Sequence, residues 1–254
     1  MEINPTLKNI PDFPFDRLRS LLSNIDVPAK INPISLAVGE PQQAVPEKFI
    51  KSIFNYSHTW NKYPTANGSP ELRTAIVKWI NRRFRIQNLG HLKNVLACAG
   101  SKEAIYLLTN YLTPKVKSGR VPIIAMPNPY YHVYQTSAIS SGADQLYLPA
   151  TAKSGFLPNL NNLDKKVLDR LAVLFICSPA NPQGVIASKG YFEQAIRLAR
   201  KHDFVIISDE CYSDIYYSTQ PVSALQTCND MASNTTSRSV YNRVIVTNSL
   251  SKRS

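Results

Sequence analysis

From Asn94 onward the chain alternates short unbroken apolar runs with stretches of helical period. The runs fall at 94–98 (NVLAC), 121–126 (VPIIAM), 145–148 (QLYL), 171–177 (LAVLFIC), 204–208 (FVIIS) and 243–248 (RVIVTN), and each predicts a strand. Helical patterns lie near 101–112, 131–141, 162–169 and 188–202; in the last, Phe192, Ala195, Ile196 and Ala199 share a face. Apolar runs without alternation are strands covered on both sides. The pattern therefore predicts an α/β fold, a mainly parallel sheet flanked by helices. A further helix is expected after the Asn67-Gly68 turn, where Ser69 can cap, Pro70 fits the first position and Glu71 suits the positive end. Its apolar face is predicted to be Leu72, Ala75, Ile76, Trp79 and Ile80. Residues 1–45 are rich in Pro and Asn, with one amphipathic piece from Phe15 to Leu22, and read as an N-terminal arm or a segment of a smaller domain. Residues 46–254 form the main domain, with a polar loop at 229–239.

Composition narrows the class. Of 254 residues, 44% are apolar and 18% charged, enough for a sizeable core and unlike a disordered chain. The longest strongly apolar run, Leu171 to Cys177, is far short of the roughly 20 residues a membrane span needs. The opening MEINPTLKN has no basic segment followed by an apolar one, so a cytoplasmic protein is expected. Cys98, Cys177, Cys211 and Cys228 stand far apart without metal-ligand spacing, and three of them end or follow apolar runs. They read as reduced, buried thiols rather than as disulfides or a metal site. The net charge of +12 raises the question of nucleic acid, but the basic residues are scattered. The densest group, Arg82, Arg83 and Arg85, reads as a solvated helix end favoured by the macrodipole. Residues 1–60 offer no helix-turn-helix pattern, so no nucleic-acid partner is expected; a small anionic substrate or cofactor would suit the charge equally well.

In a parallel sheet, ligands bind beyond the carboxyl ends of the strands. After 94–98 comes Gly100-Ser101-Lys102-Glu103-Ala104, either a phosphate cradle at a helix start or a plain Gly turn with a Ser cap. After 121–126 comes Pro127-Asn128-Pro129-Tyr130-Tyr131-His132-Val133-Tyr134, either core aromatics or a platform for a planar ring. After 171–177, Asn181 sits in Ser178-Pro179-Ala180-Asn181-Pro182-Gln183-Gly184, a rigid turn or an amide aimed at a ligand. After 204–208 comes Asp209-Glu210-Cys211-Tyr212, whose acid is costly to bury unpaired. The last run is followed by Ser249-Leu250-Ser251-Lys252, and a lysine after a buried strand can become a nucleophile toward carbonyls. Together these match the needs of pyridoxal phosphate: an amine for a Schiff base, a carboxylate for the ring nitrogen, donors to the ring hydroxyl, a stacking aromatic and a phosphate cradle.

With Val38-Gly39-Glu40-Pro41, Tyr63-Pro64, Gly68 and Glu71-Leu72-Arg73 added, the ordered set resembles the class I/II pyridoxal-phosphate aminotransferases, of fold type I and aspartate-aminotransferase-like, from about Asn32 to Ser254. Asn4-Pro5, Phe13-Pro14-Phe15-Asp16-Arg17-Leu18 and Ser251-Lys252-Arg253-Ser254 look most like the bacterial succinyldiaminopimelate aminotransferase branch, which works in lysine biosynthesis. The resemblance implies that Lys252 bonds the cofactor and shuttles a proton, and that Asp209 pairs with the ring nitrogen. It implies further that Tyr212 and Asn181 bond the ring hydroxyl, that Tyr131 stacks, and that Gly100, Ser101, Lys102 and Ser249 bind the phosphate. Asn181 and Gly39 would also touch the substrate, and Tyr63 would reach into a neighbouring subunit of a homodimer. Substrates would be an amino acid, of N-succinyl-diaminopimelate or glutamate type, and a 2-oxo acid. Members of the family are longer, so the resemblance implies a pyridoxal-phosphate-binding large domain incomplete at its C-terminus, with the C-terminal small domain missing. An inactive fragment, or another fold type I enzyme (lyase, decarboxylase or synthase), are the alternatives it leaves open.

Overall fold

The computed structural model describes residues 5–252 apart from residues 29, 33, 35, 87–88, 90–91 and 233–239. The helices are α1 (Pro14–Leu22), α2 (Glu47–Asn55), α3 (Pro70–Phe84), α4 (Ser101–Leu112), α5 (His132–Ser140), α6 (Lys165–Arg170), α7 (Lys189–His202) and α8 (Ala224–Met231). The strands are β1 (Ile123–Asn128), β2 (Asp144–Pro149), β3 (Leu171–Cys177), β4 (Val205–Asp209) and β5 (Val244–Thr247). All pair in parallel, in the order β2-β1-β3-β4-β5. The expected α/β fold with its flanked parallel sheet is thus observed.

Every residue of β3 is buried, which explains its unbroken apolar run. Leu174 and Ile176 face one apolar cluster with Phe192, Ala195, Ile196 and Ala199 of α7. Val173 and Phe175 face another with Ile105 of α4 and Val133, Tyr134 and Ala138 of α5. Burying each large side chain contributes roughly 1.5–3 kcal/mol, so the sheet is fixed from both sides. From β1 the chain proceeds to β2 on one side and then to β3 on the other. The crevice between the carboxyl ends of β1 and β3 is therefore a topological switch point. Cys177, Asp209 and Thr247 stand in register at the carboxyl ends of β3, β4 and β5.

Three expectations need correction. Residues 94–98 are not a strand: they run beside the Asn67-Gly68 turn, where Ala97 N donates to Asn67 O (3.4 Å), with Leu96 and Cys98 exposed. An apolar run becomes a strand only where a sheet edge offers it bonds, and this one lies against a turn instead. A Cβ on Gly68 would come within 2.5 Å of Ala97 Cβ, so that glycine permits the contact. Secondly, Ser69 caps α3 as expected (Leu72 N to Oγ, 3.2 Å), but the buried face is Val77 and Phe84, with Leu72 exposed. Only the second half of the helix meets the core, where Trp79, Ile80 and Phe84 share a cluster with Leu225 of α8. Thirdly, Arg83 is not a solvated helix end: its side chain is only 11% exposed and paired with Asp214. The helix α2, unexpected from the sequence, has no buried residue.

Candidate functional site

The sequence Val205-Ile206-Ile207-Ser208 carries β4 through the core and delivers Asp209 at its buried end. Tyr134 Oη donates to Asp209 Oδ2 at 2.8 Å, and Cys211 N donates to Oδ1 at 3.4 Å. Burial pushes the Asp209 carboxyl up, and these donors pull it part of the way back. None of the ion pairs among the described residues includes Asp209. It is a buried acid held by neutral donors, a state that a cationic partner would favour. Tyr134 is held on α5 by stacking on Phe175, ring centroids 4.3 Å apart and 11° between planes. Burial and Asp209 raise its hydroxyl well above the ordinary range, so it stays a donor. The sequence reading missed Tyr134; the signal was its place with Ser137 and Ala138 on one inward face of α5.

Lys252 lies in the segment that follows β5. Its Nζ donates to Gly39 O and stands 5.9 Å from the ring centroid of Tyr212. Burial, and after it Cys211, pushes the Tyr212 hydroxyl up to about 12. Asp209 and Tyr131 also act on Tyr212, and Asp209 raises Tyr131 after burial does, so these groups share one neighbourhood. Tyr131 sets its ring edge-on to Tyr134, centroids 5.7 Å apart. A Cβ on Gly39 would meet nothing within 4 Å.

At the start of α4, Gly100 takes φ 138°, and no side chain caps the helix. The first N–H groups of Ser101, Lys102 and Glu103 therefore have no intrahelical acceptor. The Gly turn is real but Ser101 is the first helical residue, not a cap. The Lys102 charge reaches His132 at the start of α5, lowering it after burial does. The helix α4 packs against β3, β4 and β5. Beyond β5, Ser249 Oγ and Ser251 Oγ lie 2.9 Å apart, and Ser251 N donates to Ser249 Oγ. Asn181 sits exposed in a tight loop closed by Gly184 N to Ala180 O (2.7 Å) and Ala180 N to Val185 O (2.8 Å). Its backbone N–H is directed at Cys177, while Gln183 Nε2 donates to Pro129 O (3.2 Å) and ties this loop to the one after β1. Tyr63 is fully exposed, and among the described residues no hydrogen bond or ring contact joins it to the group. The structure thus brings Asp209, Tyr212, Tyr131, Lys252 and Gly39 together and leaves Tyr63 apart.

A family described as aminotransferase class I and II matches residues 31–254. This chain belongs to the class I and II aminotransferases. Members of that family use pyridoxal phosphate. An LL-diaminopimelate aminotransferase of Trichormus variabilis is 29% identical over 229 residues, covering 89% of this chain and 57% of its own length. A solved aminotransferase from Neisseria meningitidis shares 30% identity at TM-score 0.88, covering 99% of this chain and 62% of its own. The aminotransferase AspB of Helicobacter pylori shares 33% at TM-score 0.84, with 100% and 62% covered. The chain thus spans about three fifths of the proteins it matches. The curated relative is named for LL-diaminopimelate, not for the succinylated substrate expected from the sequence.

The donor set of this aminotransferase chain fits pyridoxal phosphate. A buried carboxylate without a cation suits a protonated ring nitrogen, and an amine stands beside a phenol with a raised hydroxyl pKa. The uncapped N–H groups of α4, with two serine hydroxyls beyond β5, suit a phosphate.

Proposed function

We propose that this chain carries the cofactor site of a cytoplasmic aminotransferase that moves an amino group between an amino acid and a 2-oxo acid. One observation supports this most: Asp209 is buried at the end of β4 with only neutral donors, and Lys252 stands 5.9 Å from the ring centroid of Tyr212, a phenol that Asp209 also acts on. When bound, the cofactor supplies a conjugated, cationic ring able to accept electron density from the substrate carbon. In this reading Asp209 holds the proton on the ring nitrogen, and Tyr134 holds Asp209 in place by its hydrogen bond. Lys252 provides the amine that holds the cofactor covalently and then moves a proton at the reacting carbon. Tyr212 and Asn181 donate toward the ring hydroxyl oxygen, and Tyr131 covers the ring. Gly100, Ser101, Lys102 and Ser249 bind the phosphate through backbone N–H groups and hydroxyls. Gly39 lies against the substrate carboxylate, and Tyr63, fully exposed here, serves the neighbouring subunit of a homodimer.

The amino acid is of diaminopimelate type and the 2-oxo acid is 2-oxoglutarate, which places the reaction in lysine biosynthesis. The name of the curated relative supports this reading, and the N-terminal motifs favour the N-succinylated form. The test is a half-reaction: the loaded chain is mixed separately with LL-diaminopimelate, N-succinyl-LL-diaminopimelate, glutamate and aspartate, and the visible band is followed. Faster bleaching by the diaminopimelates and glutamate than by aspartate is expected, with a 2-oxo acid as product. Release of ammonia or carbon dioxide instead would contradict the reading.

A further inference from the structure

The loop between β4 and α8 carries Tyr212, and two of its residues are gripped from an element far away in sequence. Arg83, near the end of α3, donates from Nε to Asp214 Oδ1 (2.8 Å) and from Nη2 to Ser213 O (2.5 Å). Its guanidinium lies 4.8 Å from the Phe84 ring centroid and 5.7 Å from that of Tyr216. The loop itself is a pair of turns, Ser213 N to Glu210 O (3.0 Å) and Ile215 N to Tyr212 O (2.9 Å), with Tyr212 between them. Its upstream end is fixed by Glu210, whose Oε1 accepts from Ser208 Oγ (2.9 Å) and from Ala224 N (2.8 Å). Beyond Asp214 the loop runs exposed through Ile215, Tyr216 and Tyr217. The Arg83 fork is therefore the last strong hold on the chain before it enters solvent.

We propose that Arg83 is a positioning residue for Tyr212: its two-pronged grip on Ser213 and Asp214 fixes where the Tyr212 hydroxyl stands relative to the cofactor ring. This rests on the assignment of Tyr212 to the ring hydroxyl oxygen. A planar fork bonded to a carbonyl and a carboxylate, and stacked on aromatic rings, is not reproduced by the point charge of lysine. A residue serving only as a helix-end charge would be replaced by lysine without loss.

The test compares Arg83→Lys, Asp214→Asn and Tyr212→Phe with Arg82→Lys, a change at an exposed neighbour, all in the full chain loaded with pyridoxal phosphate. Arg83→Lys and Asp214→Asn are expected to raise the apparent pKa of the visible band in the same direction as Tyr212→Phe, and to weaken cofactor binding roughly 3- to 10-fold. Combined with Tyr212→Phe they should add little, because all act through one hydrogen bond. In the absence of cofactor, Arg83→Lys should hasten chymotryptic cleavage after Tyr216 and Tyr217, whereas Arg82→Lys should leave both readouts unchanged. A band moved by Tyr212→Phe but not by Arg83→Lys or Asp214→Asn would overturn the proposal while leaving the site assignment intact. A band that Tyr212→Phe does not move would overturn the assignment, and the proposal with it.

Discussion

Two carboxyls stand side by side at the end of β4 and are treated oppositely by the fold. Asp209 accepts from Tyr134 and Cys211 and faces the site, whereas Glu210 is turned toward the start of α8. Glu210 is 1% exposed, and among the described residues its Oε2 has no hydrogen-bond donor. Burial pushes it up to about 7 from an ordinary value of 4.5, despite the bonds from Ala224 and Ser208. A carboxyl whose pKa is higher folded than unfolded binds its proton more tightly in the native state. Its contribution to stability is then full below about 4.5 and is lost as pH rises to about 7. Glu210→Gln, which keeps the acceptor and cannot ionise, should flatten the stability profile between those pH values. At pH 8 it should be more stable than the parent by up to roughly 3 kcal/mol in urea unfolding. A variant less stable at pH 8 than the parent would mean the charged form is the one the fold prefers. For Asp209 the expectation is the reverse: under the proposed function Asp209→Ala removes the partner of the cationic ring, so cofactor affinity measured by fluorescence titration should fall on the order of 30-fold or more. The strand-end residues were legible because a parallel sheet sends its chemistry to one end. Tyr134 was not, since a tyrosine inside a helix reads as core until a partner 75 residues away is known.

At the level of elements, runs buried on both faces announced themselves, and β3 falls on the residues predicted, 171–177. The run at 94–98 has the same local character but becomes a chain lying on a turn, because pairing depends on which edges are free and not on the run itself. The helix α3 teaches the same point: its period was plain, but its buried face depended on what α8 and the segment after Phe84 offered. Packing at the site can be tested through Phe175, fully buried on β3 under the Tyr134 ring. Phe175→Ala should cost about 3–5 kcal/mol in denaturant unfolding. It should also weaken cofactor binding, because the ring that steadies Tyr134 is gone. A loss below about 1 kcal/mol would mean that this face of the sheet is not packed as described.

For the whole molecule, the site is assembled from parts distant in the chain. Phe13 sets its ring edge-on to His132 at 5.1 Å, and Lys252 meets Gly39, 213 residues away. Neither contact has a local signature, which is why residues 1–45 read only as an arm or a segment of a smaller domain. Large apolar side chains exposed between residues 21 and 63 include Leu21, Ile34, Leu36, Phe54 and Tyr63. Apolar surface on that scale marks an interaction face. In sedimentation the loaded chain should therefore associate as its concentration rises, and Leu36→Asp together with Ile34→Asp should weaken that association without unfolding the sheet. A monomer at all concentrations would contradict the homodimer proposal.

The proposed function requires that Asp209 and Lys252 frame one cofactor site. The most direct measurement mixes the purified chain with pyridoxal phosphate, records the visible spectrum across pH, reduces with borohydride and maps the labelled peptide. A defined, pH-sensitive band and a label on Lys252 are expected, both lost in Lys252→Ala. Labels scattered over surface lysines, or a label retained elsewhere in Lys252→Ala, would contradict it.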